Sequence, residues 1–111
     1  MITRIFRVRI HPGMRDEFER KFLEISVPYV ETKRGYVSHV VGYPTKWKPD
    51  DYMLLTNWTS EAALVEFAGP DWKKAVIPDG MDKYVAACWV DHFQTNEGGH
   101  AAPGQPRSGA H

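Results

Sequence analysis

Residues 51–72, DYMLLTNWTSEAALVEFAGPDW, decide the fold. The first part, Tyr52–Trp58, is rich in aromatic and aliphatic residues and predicts a β-strand. The hydroxyl residues that follow offer a helix N-cap, and Glu61 places a negative charge in the first helical turn, where the helix dipole favours it. Gly69-Pro70 ends that helix. The stretch is therefore a strand that runs directly into a helix, and Trp58 lies where the chain turns.

Both faces of this strand are largely apolar. One face carries Tyr52, Leu54, Thr56 and Trp58, and the other carries Met53, Leu55 and Asn57. A strand with one wet face would alternate apolar with charged residues, so this pattern indicates a strand that is covered on both sides.

The flanking sequence supplies three more strands and a longer helix. The apolar positions predict, in order, strand Ile2–Ile10, helix Met14–Lys33, strand Tyr36–Tyr43, the strand and helix described above, a short segment Asp71–Ile77 and strand Val85–Gln94. Pro28 is expected to kink or end the first helix near Val27. The order β-α-β-β-α-β predicts an α+β, ferredoxin-like domain with a four-stranded antiparallel sheet. Its helices cover one face of the sheet, and a second copy of the chain is the expected cover for the other, giving a homodimer.

Composition excludes several classes of function. With 111 residues, a formal net charge of zero and a pI near 7.0, the chain is one domain with no attraction for nucleic acid. Its single cysteine, Cys88, excludes a disulfide framework, and no apolar run is long enough to cross a membrane. A cytoplasmic location is the default expectation. Residues 1–94 form the predicted domain, and the Gly-, Pro- and Ser-rich residues 95–111 are predicted to be a disordered tail.

Aromatic residues and two histidines are the candidates for a binding site. We expect a cleft between the helices and the sheet, with Trp58 on its floor and Phe22, Phe67 and Trp72 in its walls. His39 and His92 are the candidate proton acceptors near neutral pH, and Tyr36 and Tyr52 are the candidates for holding a substrate oxygen. The alternatives are a core tryptophan, packed tyrosines and interface histidines. No HxH, HxxE or CxxC spacing is present, so no metal site is predicted.

Several short motifs give the chain a family resemblance. They are His11-Pro12-Gly13 after the first strand, Gly35-Tyr36-Val37, Leu55-Thr56-Asn57-Trp58 before Ser60-Glu61-Ala62, Phe67-Ala68-Gly69-Pro70-Asp71-Trp72, and Val90-Asp91-His92-Phe93. Over residues 2–94 the sequence resembles the antibiotic biosynthesis monooxygenase-like proteins, which form dimeric α+β barrels. The resemblance implies the ferredoxin-like fold, a homodimer and a cleft for a small organic molecule.

The resemblance also implies a function. The family includes cofactor-independent oxygenases of polycyclic phenols and quinols, so the expected activity is oxidation of an aromatic, polyketide- or quinol-like substrate by dioxygen without a cofactor. The family also includes haem-degrading enzymes, which this chain resembles at Trp58. It differs from them in having Phe6 or Arg7 at their first-strand asparagine and no histidine between His39 and His92. A binding protein without turnover and a haem-binding relative are the alternatives.

Overall fold

Four strands and three short α-helices make up the part of the chain that the computed structural model describes, residues 1–96. The strands are β1 (Ile2–Ile10), β2 (Tyr36–Gly42), β3 (Asp51–Trp58) and β4 (Val85–Gln94). The helices are α1 (Arg15–Lys21), α2 (Val27–Glu31) and α3 (Glu61–Ala68). The predicted tail lies outside the described residues from position 97 onward. None of the helices within residues 1–96 is long and apolar enough to span a membrane.

The strands form one antiparallel sheet in the order β2-β3-β1-β4. This order, with β1 and β3 in the centre, confirms the predicted ferredoxin-like βαββαβ topology. The helix-facing side of β1 and β3 is buried, with Val8 and Trp58 at 0% exposure. The same side packs against α1, α2 and α3 through residues such as Phe18, Val30 and Leu64.

Two irregularities in the sheet change which residues share a face. The pairing of β1 with β4 shifts between Arg9 and Ile10, so that Val85 faces the helices. Strict alternation along the strand would place Val85 on the same face as Ala87 and Trp89, but the bulge inserts one residue into the alternation. The pairing of β2 with β3 shifts between Tyr36 and Ser38. His39 therefore shares its face with Tyr36 instead of Val37.

The first helical region is interrupted near Pro28, as predicted. Between α1 and α2 the chain forms a π-helical turn, Phe22–Ser26, and Pro28 lies in the first turn of α2. Proline has no N–H to donate and its ring crowds the carbonyl four residues earlier, so the wider turn accommodates both effects. The region ends at Glu31, earlier than the predicted Lys33.

The strand-to-helix stretch forms as its sequence predicts. The Ser60 hydroxyl caps α3 by accepting a hydrogen bond from the Ala63 N–H at 3.1 Å. Gly69 ends the helix with φ of 88°, a conformation that favours glycine. Segment 71–77 forms turns and no regular helix.

The other face of the sheet is not covered by any element of the described chain. Val40, Leu55 and Ile5 lie side by side across β2, β3 and β1 on this face. Val40 is 54% exposed and Phe93 is 56% exposed. On the same face Arg7 and Arg9 lie over the Trp89 ring, at 4.4 Å and 5.2 Å from its centroid. We refer to this surface as the open face.

Candidate active site

A cleft lies between the helices and the sheet, where the sequence predicted one. It contains about 580 Å³ of unfilled space, including the part that opens to solvent. Its lining is mainly apolar and aromatic, which is typical of sites for small organic ligands. The lining residues are Arg4, Phe6, Val8, Phe18, Phe22, Ser26, Tyr29, Val30, Leu54, Thr56, Phe67, Val76, Ile77, Pro78, Met81 and Val85.

Arg4 is the charged side chain among these lining residues. It is only 3% exposed, although it lies on the apolar, helix-facing side of β1. Its Nη1 donates to the carbonyl oxygen of Trp72 at 2.8 Å, and its Nη2 donates to that of Lys74 at 2.8 Å. Burial lowers the pKa of the guanidinium to about 10, so Arg4 remains protonated at neutral pH. The turn after α3 thus holds a positive charge at the cleft.

His92 lies beside Arg4 on the neighbouring strand. Arg4 and His92 are paired across β1 and β4, and Nη1 of Arg4 lies 3.0 Å from Nε2 of His92. Arginine can only donate, so this nitrogen of His92 is the acceptor and Nδ1 carries the ring proton. Burial, and then the charge of Arg4, lower the pKa of His92. The ring packs edge-on against Trp72, with 4.6 Å between the centroids.

Trp58 does not line the cleft. Its side chain is fully buried, and its indole N–H donates to the Thr56 hydroxyl at 2.9 Å. The ring of Phe67 stacks on the indole and is itself a lining residue of the cleft. The expectation that Trp58 forms the floor is corrected in this respect, because Phe67 from α3 covers the indole.

Tyr52 is not among the residues that line the cleft either. Its ring is 1% exposed and packs against Phe18 and Phe22. Its hydroxyl donates to the Glu19 carboxylate at 2.7 Å. Burial, and then the hydrogen bond with Glu19, raise the pKa of Tyr52 to about 12, so the phenol remains protonated.

Tyr36 and His39 form a separate pair at the β2 edge of the sheet. The Tyr36 hydroxyl lies 2.6 Å from Nδ1 of His39, and the Glu31 carboxylate lies 3.9 Å from the same nitrogen. Burial, and then the charge of Glu31, raise the pKa of Tyr36. Neither residue is among those that line the cleft. The bulge in β2 brings them together, and sequence alternation alone does not reveal it.

Comparison with known proteins places this geometry in a family. The family model for antibiotic biosynthesis monooxygenase matches residues 1–76, about two thirds of the chain. The chain belongs to the antibiotic biosynthesis monooxygenase family. A comparison with curated proteins gives no significant match.

Several solved structures share the fold of the chain. A point mutant of SnoaB, a cofactor-independent oxygenase from Streptomyces nogalater, is 20% identical, with a TM-score of 0.66 over 92% of this chain and 96% of that one. A point mutant of MhuD with two manganese protoporphyrin IX molecules per active site is 17% identical, with a TM-score of 0.61 over 86% and 94%. A conserved protein from Methanosarcina mazei is 16% identical, with a TM-score of 0.65 over 86% and 92%.

The lining residues offer few ligands for haem iron. No histidine or cysteine is among the described residues that line the cleft, and the lining residues of a type that can ligate haem iron are Tyr29 and Met81. Within residues 1–96 there is also no group of three or more His, Cys, Asp or Glu side chains placed to hold a metal ion.

Of the eight predicted site residues, Phe22 and Phe67 line the cleft. Trp72 and His92 contact the lining residue Arg4, and Trp58 stacks on the lining residue Phe67. The other three, Tyr36, Tyr52 and His39, are not among the lining residues. Arg4 is not among the residues that the sequence predicted for the site. The sequence did contain a signal for it. The period of β1 assigns position 4 to the core, where a lone charged residue is unusual.

Proposed function

We propose that this protein is a cofactor-independent monooxygenase that oxidises an aromatic, polyketide- or quinol-like substrate with dioxygen. The observation that carries the proposal is the composition of the cleft. Four phenylalanine rings, those of Phe6, Phe18, Phe22 and Phe67, line it together with one buried cation, Arg4. Membership of a family whose fold is shared with a cofactor-independent oxygenase supports the same function.

The phenylalanine walls suit a flat aromatic ligand. Rings in a protein prefer offset or edge-to-face contact with other rings, and burial of such a ligand removes apolar surface from water. A ligand seated among these apolar walls would also displace water from around the reacting carbon. Exclusion of water protects a carbanion or radical and strengthens polar contacts with the substrate.

The reaction requires no electrons beyond those of the substrate. An anthrone ionises by losing a proton, and the resulting anion passes one electron to dioxygen. The substrate radical and superoxide combine to form a carbon–oxygen bond, and protonation gives a hydroperoxide. Loss of water from the hydroperoxide leaves a quinone carbonyl. One oxygen atom of dioxygen enters the product and the other leaves as water.

The side chains around the cleft favour the first step. The charge of Arg4, held in surroundings of low polarity, stabilises the anionic form of a bound phenol relative to the neutral form. Of the two predicted proton acceptors, His92 contacts a lining residue, but its Nε2 already accepts from Arg4, so its contacts support a role in orienting Arg4 and not in taking up the substrate proton. His39 instead contacts Tyr36 and Glu31 at the sheet edge.

We also propose that the protein is a homodimer that buries the open face. The support is the apolar row of Val40, Leu55 and Ile5, which the described part of the chain leaves uncovered. Stable homodimers commonly bury more than about 2,000 Å² in total, and a four-stranded sheet face is the surface available for this.

Oxygen uptake by the purified, haem-free protein tests the proposed activity. An oxygen electrode would follow a panel of anthrones and hydroquinones, with spontaneous oxidation in the absence of protein subtracted. Uptake that saturates with substrate is expected, with a product that has gained one oxygen atom, anthraquinone from anthrone or a hydroxylated quinone from a hydroquinone. Binding of these compounds without uptake would contradict the proposal and favour a binding protein. A Soret band that develops on addition of haemin would favour the haem-binding alternative.

A further inference from the structure

The hydrogen bonds of Arg4 leave part of its guanidinium available. Arginine has five N–H donors. Two on Nη1 are directed to Trp72 and His92, and one on Nη2 is directed to Lys74. The two donors that remain, with no protein acceptor among residues 1–96, are the Nε–H and the second N–H of Nη2.

Solvent reaches the Nε–H of Arg4. In the described part of the chain, no polar side-chain atom that is sealed from solvent lacks a hydrogen-bond partner. The Nε of Arg4 has no protein partner there, so it is not sealed. The side chain is otherwise almost wholly buried, and it is a lining residue of the cleft, which is the solvent-open space beside it.

Arg4 also has no acidic partner within residues 1–96. The ion pairs of the chain lie elsewhere, as for Arg9 with Asp51 on the open face. Neutral carbonyls and a neutral imidazole surround the Arg4 charge. A buried charge without a counter-charge is costly, and such groups are normally paired. A ligand that carries the missing negative charge accounts for the arrangement.

We propose that Arg4 binds an aromatic ligand through two adjacent oxygen atoms that share one negative charge. A carboxylate and an ionised hydroxyl beside a ring carbonyl both have this chemistry. Each would accept one hydrogen bond from Nε–H and one from Nη2–H, the paired geometry in which arginine binds planar anions. The proposal rests on the proposed use of the cleft and names the feature by which a substrate is recognised. It does not require turnover.

His92 is a positioning residue in this account. Its Nε2 accepts from Nη1, and the carbonyls of Trp72 and Lys74 fix the other end of the guanidinium plane. These bonds fix the orientation of the guanidinium plane and leave Nε without a protein partner among residues 1–96.

Two matched pairs of compounds test the recognition in the unaltered protein. The first pair is 2-naphthoate and the neutral 2-naphthamide. The second is a hydroxynaphthoquinone that is ionised at neutral pH and its neutral methyl ether. Affinities would be measured by isothermal titration calorimetry. The anion of at least one pair is expected to bind roughly ten-fold or more tightly than its neutral partner, as charge-assisted hydrogen bonds predict. The pair with the larger ratio identifies the source of the two oxygens. Equal affinities in both pairs would overturn the proposal, whatever any variant does.

Variants then assign the preference to Arg4. Arg4→Met is expected to abolish the preference, whereas Arg20→Met, which removes an equal charge from an exposed position on α1, should retain it. If Arg4→Met fails to fold, Arg4→Lys is the substitute, because lysine keeps the charge but has no pair of adjacent N–H donors. It should reduce the preference by several-fold. His92→Leu is expected to reduce the preference, and His92→Gln, which supplies another acceptor, to restore it. A preference that survives in Arg4→Met, or in Arg4→Lys at full size, would contradict the assignment.

The two proposals can fail separately. A strong preference for the anion without oxygen uptake would overturn the oxygenase and leave anion recognition intact. Oxygen uptake by the unaltered protein with no anion preference in either pair would overturn anion recognition and leave the oxygenase intact.

Discussion

The indole of Trp58 stacks on the ring of Phe67, with 4.8 Å between the ring centroids and 20° between the planes. Trp58 ends β3 and Phe67 lies in the last turns of α3, so the stack joins the sheet to the helix that follows it. The two rings have different surroundings. Trp58 is fully buried, whereas Phe67 is partly buried and lines the cleft.

Substitution of the two rings should therefore separate stability from binding. Trp58→Ala is expected to lower the free energy of unfolding by about 3–5 kcal/mol, because it leaves a cavity in the core. Phe67→Ala should cost less stability and weaken binding of aromatic ligands. Urea denaturation and calorimetric titration measure the two effects, and Leu23→Ala, at a 42% exposed position, is the control. An unchanged unfolding midpoint in Trp58→Ala would contradict the packing described.

The lowered pKa of His92 predicts a loss of stability at mildly acid pH. In the unfolded chain the imidazole takes up a proton as the pH falls through its ordinary value of 6.5. In the folded chain it resists protonation, because of burial and the charge of Arg4. The unfolded state then binds more protons, so the free energy of unfolding must fall as the pH drops from 6.5 toward the folded pKa.

Urea unfolding of the protein and of His92→Gln, measured from about pH 5 to pH 8, tests this expectation. The difference between their free energies of unfolding should change with pH in favour of the variant as the solution becomes acidic. Parallel curves would show that burial and the charge of Arg4 do not hold His92 in its neutral form.

Tyr52 is expected to contribute to stability and not to chemistry. Tyr52→Phe removes the hydrogen bond to Glu19 and should cost about 1 kcal/mol of stability. Because its pKa is raised to about 12, no ionised phenol is lost at neutral pH and ligand affinity should not change. Tyr43→Phe, at a 48% exposed position, is the matched control for stability. A large loss of ligand affinity in Tyr52→Phe would instead support the role in holding a substrate oxygen that the sequence suggested.

A charge on the open face should disrupt the proposed homodimer. Leu55 lies between Ile5 and Val40 at the centre of this face. Leu55→Glu is expected to yield a monomer by sedimentation at micromolar concentration, because an unpaired carboxylate would be buried at the interface. The exposed Leu23→Glu on the helical side serves as the control. A monomeric mass for the unaltered protein would contradict the proposed homodimer.

The sequence predicts the elements well where local signals and period agree. The bounds of β1 and β4, the Ser60 cap and the Gly69 stop of α3 all follow from residues within a few positions of one another. The interruption at Pro28 is equally local, since the chemistry of proline forces it. The order of these elements then determines the ferredoxin-like topology.

The site was harder to predict, because long-range contacts create it. Arg4 is held by the carbonyls of Trp72 and Lys74, which follow it by 68 and 70 positions in the sequence and lie in a segment without regular structure. Neither contact leaves a pattern in the sequence. The bulge in β2 likewise pairs Tyr36 with His39 in a way that strict alternation does not allow. Trp58 was correctly placed at the end of its strand, but its aromatic partner Phe67 could only be seen in the fold.

Oxidation of anthrone under ¹⁸O-labelled dioxygen tests the proposed oxygenase most directly. The purified protein would first be shown to contain no haem or metal, and reactions without protein and with Phe67→Ala would measure the background. One labelled oxygen atom per molecule of anthraquinone is expected, formed at a rate that follows protein concentration and falls in Phe67→Ala. Product formation no faster than in the protein-free reaction, or a rate unaffected by loss of the cleft wall, would contradict it.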